Sequence, residues 1–135
     1  MKKYLNLASF YLVLGLAGGV FFREFTKLNG FEGQTTLKAL HPHALILGFF
    51  MFLGIILFEK NFSISKVKHF SKWLIVYNVT LVYVWITMLI RGITQVRGFE
   101  VAGLNHIAGL AHALFGVSMI WFIVILYKAI EKEEK

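Results

Sequence analysis

The chain has 135 residues, 58% of them hydrophobic, with mean hydropathy +0.70, formal charge +7 and no cysteine. That length fits one domain, and the lack of cysteine excludes disulfides, thiolate metal sites and cysteine nucleophiles. All seven acidic residues are glutamates and none falls inside an apolar block, so carboxylate-pair hydrolysis and carboxylate-driven proton pumping have little footing.

Four apolar blocks follow one another at residues 5–22, 40–58, 73–90 and 107–127. Each matches the ~20 residues that a helix needs to cross ~30 Å of hydrocarbon. Four such helices in a row leave too little polar surface for a soluble fold. The expected fold class is therefore all-α, an integral membrane four-helix bundle with up-down-up-down topology, forming a single domain over residues 1–135. Its surroundings are the lipid bilayer, and the basic charge belongs to membrane loops rather than to nucleic acid.

Span 1 follows Met1-Lys2-Lys3. It resembles a signal peptide but is long, and Arg23-Glu24 follows it without a small-residue cleavage site, so it reads as a retained span. Its Gly15, Gly18 and Gly19 offer close approach to a neighbour. The loop at residues 24–39 carries Asn29-Gly30 and Glu32-Gly33 turn signals. Span 2 opens on His41-Pro42-His43, with Pro42 suited to the first helical position. His41, preceding proline, is expected outside the helix and free to turn.

The link at residues 59–72 is basic, and a short interfacial helix is expected around residues 67–70. His69 within it reads as a solvated residue. Span 3 contains Asn78, Thr80 and Thr87, and the threonines are expected to satisfy themselves on their own helix backbone. Tyr77 and Tyr83 suit aromatic packing and anchoring better than electron or proton transfer. Span 4 carries His106 and His112, and its tail at 128–135 is charged. Nine lysines fall on one side of this topology, against Arg23, Lys27, Lys38, Arg91 and Arg97 on the other. The positive-inside rule then places both termini in the cytoplasm, and the expected location is the bacterial cytoplasmic membrane.

Histidines at membrane depth need partners, because hydrocarbon satisfies neither ring nitrogen. His43 and His112 each lie 15 residues from the inner end of their spans, at Phe58 and Tyr127. Parallel spans then put them at equal depth, as axial ligation of one iron from opposite sides requires. His41 and His106 form a looser second pair nearer the outer surface. On a regular helix His41 and His43 lie about 200° apart, so only a turned His41 lets all four rings converge. Gly109, Ala113 and Gly116 flank His112 with a small-residue stripe that admits a flat macrocycle or another helix. Phe49, Phe50, Phe52, Phe115, Tyr83 and Trp85 supply apolar walls. Arg23, Lys38, Arg91 and Arg97 lie where propionates would meet water, with Arg91 and Arg23 directly at span ends.

The segment from His41 to Gly48 resembles the H-x-H-x4-G stretch of NnrS-like membrane proteins. It is also similar to the histidine-bearing helices of haem–copper oxidases and nitric-oxide reductases. The segment from His106 to His112 looks like the companion motif of an uncharacterised four-span bacterial family. The resemblance implies haem b, with His43 and His112 as ligands. The chain has too few intramembrane ligands for a complete oxidase. The function expected is haem b binding by two histidines, in electron transfer, redox or gas sensing, or haem handling. A quinone or another respiratory carrier is the matching redox partner, and a homo-oligomer would help to enclose the cofactor. The alternatives are a copper or zinc protein using the four imidazoles His41, His43, His106 and His112, and an accessory subunit without cofactor.

Overall fold

A computed structural model describes residues 1–133; Lys135, counted above with the inner lysines, lies outside them. Four long helices make up the fold: span 1 (Lys2–Leu28), span 2 (Thr36–Phe62), span 3 (Phe70–Arg97) and span 4 (Leu104–Glu133). Each contains a window apolar enough to cross a membrane, and short links make successive helices antiparallel. The chain is a multi-pass membrane protein. Val13, Val20, Ile75, Val79 and Ile120 are among the large apolar side chains turned outward, as lipid contact requires. Every span is longer than its apolar block, because amphipathic residues carry each helix on past the hydrocarbon.

Spans 1 and 2 form one hairpin and spans 3 and 4 the other. The first is closed by glycine. A Cβ on Gly15 would come within 2.9 Å of Leu45, and one on Gly18 within 3.2 Å of Leu40. In the second hairpin the buried positions of span 4 are Leu104, Ala108, Ala111, Phe115, Ser118, Phe122, Ile125 and Ala129. They alternate in steps of four and three, a 3.5-residue seam like that of a left-handed coiled coil. The rest of the span 4 surface is mostly open.

The two hairpins meet in an aromatic core. Trp73 and Tyr77 of span 3 lie with centroids 5.1 Å apart, Phe52 of span 2 stands edge-on to Tyr77, and Phe122 packs on Trp73 at 4.7 Å. Thr35 and Thr36 join the start of span 2 to span 3. Their hydroxyls donate to the carbonyls of Gly92 and Met88 at 3.1 and 2.8 Å, and the Thr36 amide donates to Gln95 at 2.8 Å. Span 2 reaches span 4 through Met51–Phe62, where the Phe58 and Phe122 rings are 5.9 Å apart.

Two local expectations are corrected. The link after span 2 forms no helix at residues 67–70. Ser63 and His69 both take left-handed conformations around a 3-10 turn at Ile64–Lys66, and Val67 between them is extended. Glu59 stabilises this path instead, accepting from the Ser65 amide and hydroxyl at 2.8 and 2.6 Å. Pro42 is not the first helical residue. A 3-10 turn at Thr36–Ala39 precedes it, so His41 is helical despite the proline after it. Threonine capping by Thr35, which accepts from the Leu37 amide, starts the helix one turn early.

Beyond Pro42 the helix widens into a π-helix at His43–Phe50, then returns to α-helix at Met51–Phe62. The cause is readable in the buried positions Leu40, Ala44, Gly48 and Phe52, each four apart. In a regular helix every step of four would drift about 40° around the axis. Wider i→i+5 turns advance less per residue and keep all four on one face.

Candidate functional site

The imidazoles of His43 and His112 face each other between spans 2 and 4, with ring centroids 6.2 Å apart and planes at 82°. The π segment packs mainly on span 1 and to a lesser extent on span 3. His43 is half-buried and His112 exposed. Equal depth, expected from the counting of residues, is thus met.

Both rings are oriented in the same way. The Nδ1 of His43 lies 2.9 Å from the Ala39 carbonyl, and that of His112 lies 2.8 Å from the Ala108 carbonyl. A carbonyl only accepts, so in each ring Nδ1 carries the hydrogen. Each neutral ring then keeps a bare lone pair on Nε2, the arrangement that a backbone carbonyl imposes on metal-binding histidines. Two imidazoles holding one ion from opposite sides, with bonds of about 2 Å and about 1.2 Å from nitrogen to ring centre, have centroids roughly 6 Å apart. The donor chemistry and the centroid spacing are those that two imidazoles sharing one metal ion would need.

His41 and His106 do not join this pair. Held in the helix, His41 turns to span 1, where its Nδ1–H donates to the Gly15 carbonyl at 2.9 Å. A Cβ on Gly19 would meet the same ring at 3.2 Å, so glycine is what admits it. His106 is exposed at the end of span 4, and His69 is exposed in the link. Among the described residues no group of three or more histidine, cysteine, aspartate or glutamate side chains could hold a metal ion.

Gly109 and Gly116, on either side of His112, have open space where a Cβ would stand. The stripe runs on to Asn105 and into a cavity of ≈ 430 Å³ between the ends of spans 3 and 4. Arg91, Thr94, Gln95 and Glu100 also line it. The half-buried Arg91 makes no ion pair among the described residues. Arg23 is differently placed. Its side chain is 79% exposed and lies 3.6 Å from Glu24, on the span that His41 faces. Of the expected aromatic walls, Phe52 and Phe115 are buried against Tyr77, while Phe50 is exposed.

Asn78 and the threonines of span 3 are satisfied within the protein. Thr80 and Thr87 donate to the carbonyls of Val76 and Val84 in their own helix. Asn78 donates to Leu74 and accepts from the Tyr11 hydroxyl at 2.9 Å. Two other side chains serve the histidine segment and were not singled out in the sequence for that role. Trp85 donates to the Leu40 carbonyl at 3.2 Å, and the Tyr77 hydroxyl donates to the Leu47 carbonyl at 2.8 Å. No sequence signal marks them, since neither Leu40 nor Leu47 is the carbonyl that Pro42 leaves without an amide.

A family model described as a protein of unknown function (DUF2871) matches residues 1–129. No curated protein and no solved structure matches the chain.

Proposed function

We propose that this chain, which belongs to the DUF2871 family, binds haem b between spans 2 and 4 and transfers electrons within the membrane. The observation that carries the reading is the opposed pair His43 and His112, each with Nδ1 tied to the carbonyl four residues before it. A haem brings four nitrogens of its own and asks the protein for two. Zinc asks for three or four side chains, and copper sites likewise use several, whereas among the described residues no group of three stands together. That favours haem over bare copper or zinc. The resemblance of the segment from His41 to Gly48 to the histidine-bearing helices of haem–copper oxidases supports the same choice.

Haem, when bound, would supply reversible one-electron chemistry, and a pair of histidine donors would favour electron transfer over gas binding. His43 and His112 would hold the iron, and the Ala39 and Ala108 carbonyls fix the tautomer that leaves Nε2 free. Gly109 and Gly116 leave room for a flat ring. Arg91, which lines a polar cavity with Glu100 but makes no ion pair among the described residues, is suited to a propionate, whose planar pair of oxygens its guanidinium matches. Arg23, paired with Glu24, is the weaker candidate. Because His112 is exposed, a second copy of the chain would complete the enclosure. A quinone or other respiratory carrier is the partner class, and the orientation follows the lysine excess, with both termini in the cytoplasm of a bacterium.

The test is an absorption spectrum of the detergent-purified chain, oxidised and dithionite-reduced, after haem-replete expression. A Soret band with sharp reduced α and β bands, and about one haem per chain, is expected. A colourless chain that takes up no haem on titration would overturn the reading.

A further inference from the structure

The passage from i→i+5 to i→i+4 bonding always leaves one carbonyl without a backbone amide, because the shorter register skips it. Leu47 lies in the last turn of the π-helix His43–Phe50, where that passage occurs. The Tyr77 hydroxyl donates to the Leu47 carbonyl at 2.8 Å. Tyr77 is 1% exposed, and its ring is fixed by Trp73, Phe115 and Phe52. Such a donor matters inside a membrane, where water does not reach an unpaired carbonyl.

We propose that Tyr77 is a positioning residue, whose hydroxyl holds the π-helix open and so keeps His43 turned to His112. The argument rests on reading those two histidines as one site. Without a donor at Leu47 the segment gains by recovering i→i+4 bonds. That change lengthens it and rotates residues 42–46 around the helix axis. His43 then leaves the line to His112, while the buried steps Leu40, Ala44 and Gly48 lose their common face. Gly48 belongs to the same device, since a Cβ there would overlap the Tyr11 ring and press the widened turn outward.

The chain has no cysteine, so single labels can be placed at will. Ile46 in the π segment and Val117 on span 4 are 61% and 64% exposed, and cysteines there accept spin labels. In the full chain as purified, Tyr77→Phe should displace the Ile46-to-Val117 distance distribution by on the order of 5 Å, the scale set by helix radius and rotation. Tyr11→Phe removes a hydroxyl bonded to Asn78 rather than to the π segment, and should leave the distribution in place. In haem-loaded protein Tyr77→Phe should also change the low-spin signature by electron paramagnetic resonance. An unchanged distribution in Tyr77→Phe overturns the proposal, whatever the chain binds. A displaced distribution in a chain that takes up no haem supports the role of Tyr77 and removes only the haem reading.

Discussion

The Trp85 indole donates to the Leu40 carbonyl at 3.2 Å, immediately before the His41-Pro42-His43 segment. Span 3 thereby supplies a second donor to a carbonyl that already takes a backbone amide, and ties the start of span 2 to itself. Trp85→Phe keeps most of the apolar contact and loses the hydrogen bond. The expected cost is about 1 kcal/mol. It should be read as a lower midpoint of reversible unfolding in mixed micelles, with helix content unchanged.

Histidine substitutions should separate the site from the scaffold. His43→Ala and His112→Ala should each abolish the low-spin haem spectrum or the haem itself. His41→Ala should keep the spectrum and instead weaken the contact of spans 1 and 2 by about 1 kcal/mol, the scale of one interhelical hydrogen bond. His69→Ala should change neither. Parent spectra in both His43→Ala and His112→Ala would show the assigned pair to be wrong.

At the rim, Arg91→Leu should weaken haem retention by about tenfold, the worth of one charge-assisted hydrogen bond. Lys66→Leu, at the opposite end of the bundle, should leave retention unchanged. Dissociation of haem to an excess of apomyoglobin measures both. If replacing Arg23, Arg91 and Arg97 together has no effect, the arginines only anchor helix ends.

Glycine substitutions distinguish packing from access. Gly48→Ala meets the Tyr11 ring and should destabilise the fold by about 2 kcal/mol, as overpacking does. Gly116→Ala meets nothing in the protein and should leave unfolding unchanged. A loss of haem affinity in Gly116→Ala with full stability would mark that stripe as cofactor surface. Equal affinity would place the ring elsewhere.

The four helices and the depth match of His43 and His112 were legible because hydropathy and rise per residue decide both. The fate of His41 was not. The bias of a pre-proline residue toward extended backbone is a local preference, and Thr35 capping with three bonds to span 3 outweighs it. The interfacial helix expected at residues 67–70 failed for a similar reason. Glu59 holds Ser65, and the short link turns through two left-handed residues before span 3 begins. The π-helix was written in the spacing of Leu40, Ala44, Gly48 and Phe52. Yet four-residue steps also occur in ordinary helices, and only their unbroken run distinguishes the case. The carbonyls that orient the two rings left no mark, since every residue has one.

Span 4 leans on span 3 along one seam and meets span 2 beside Phe122 and at the His43–His112 pair. Its main hold on the bundle is therefore a single neighbour, span 3. A ligand gripped by one imidazole of span 4 and one of span 2 would act as a second fastening for that helix. Loading should slow amide exchange along Leu104–Glu133 more than along Lys2–Leu28, which glycine packing already holds. The molecule would then work as a clasp that is shut by its own cargo.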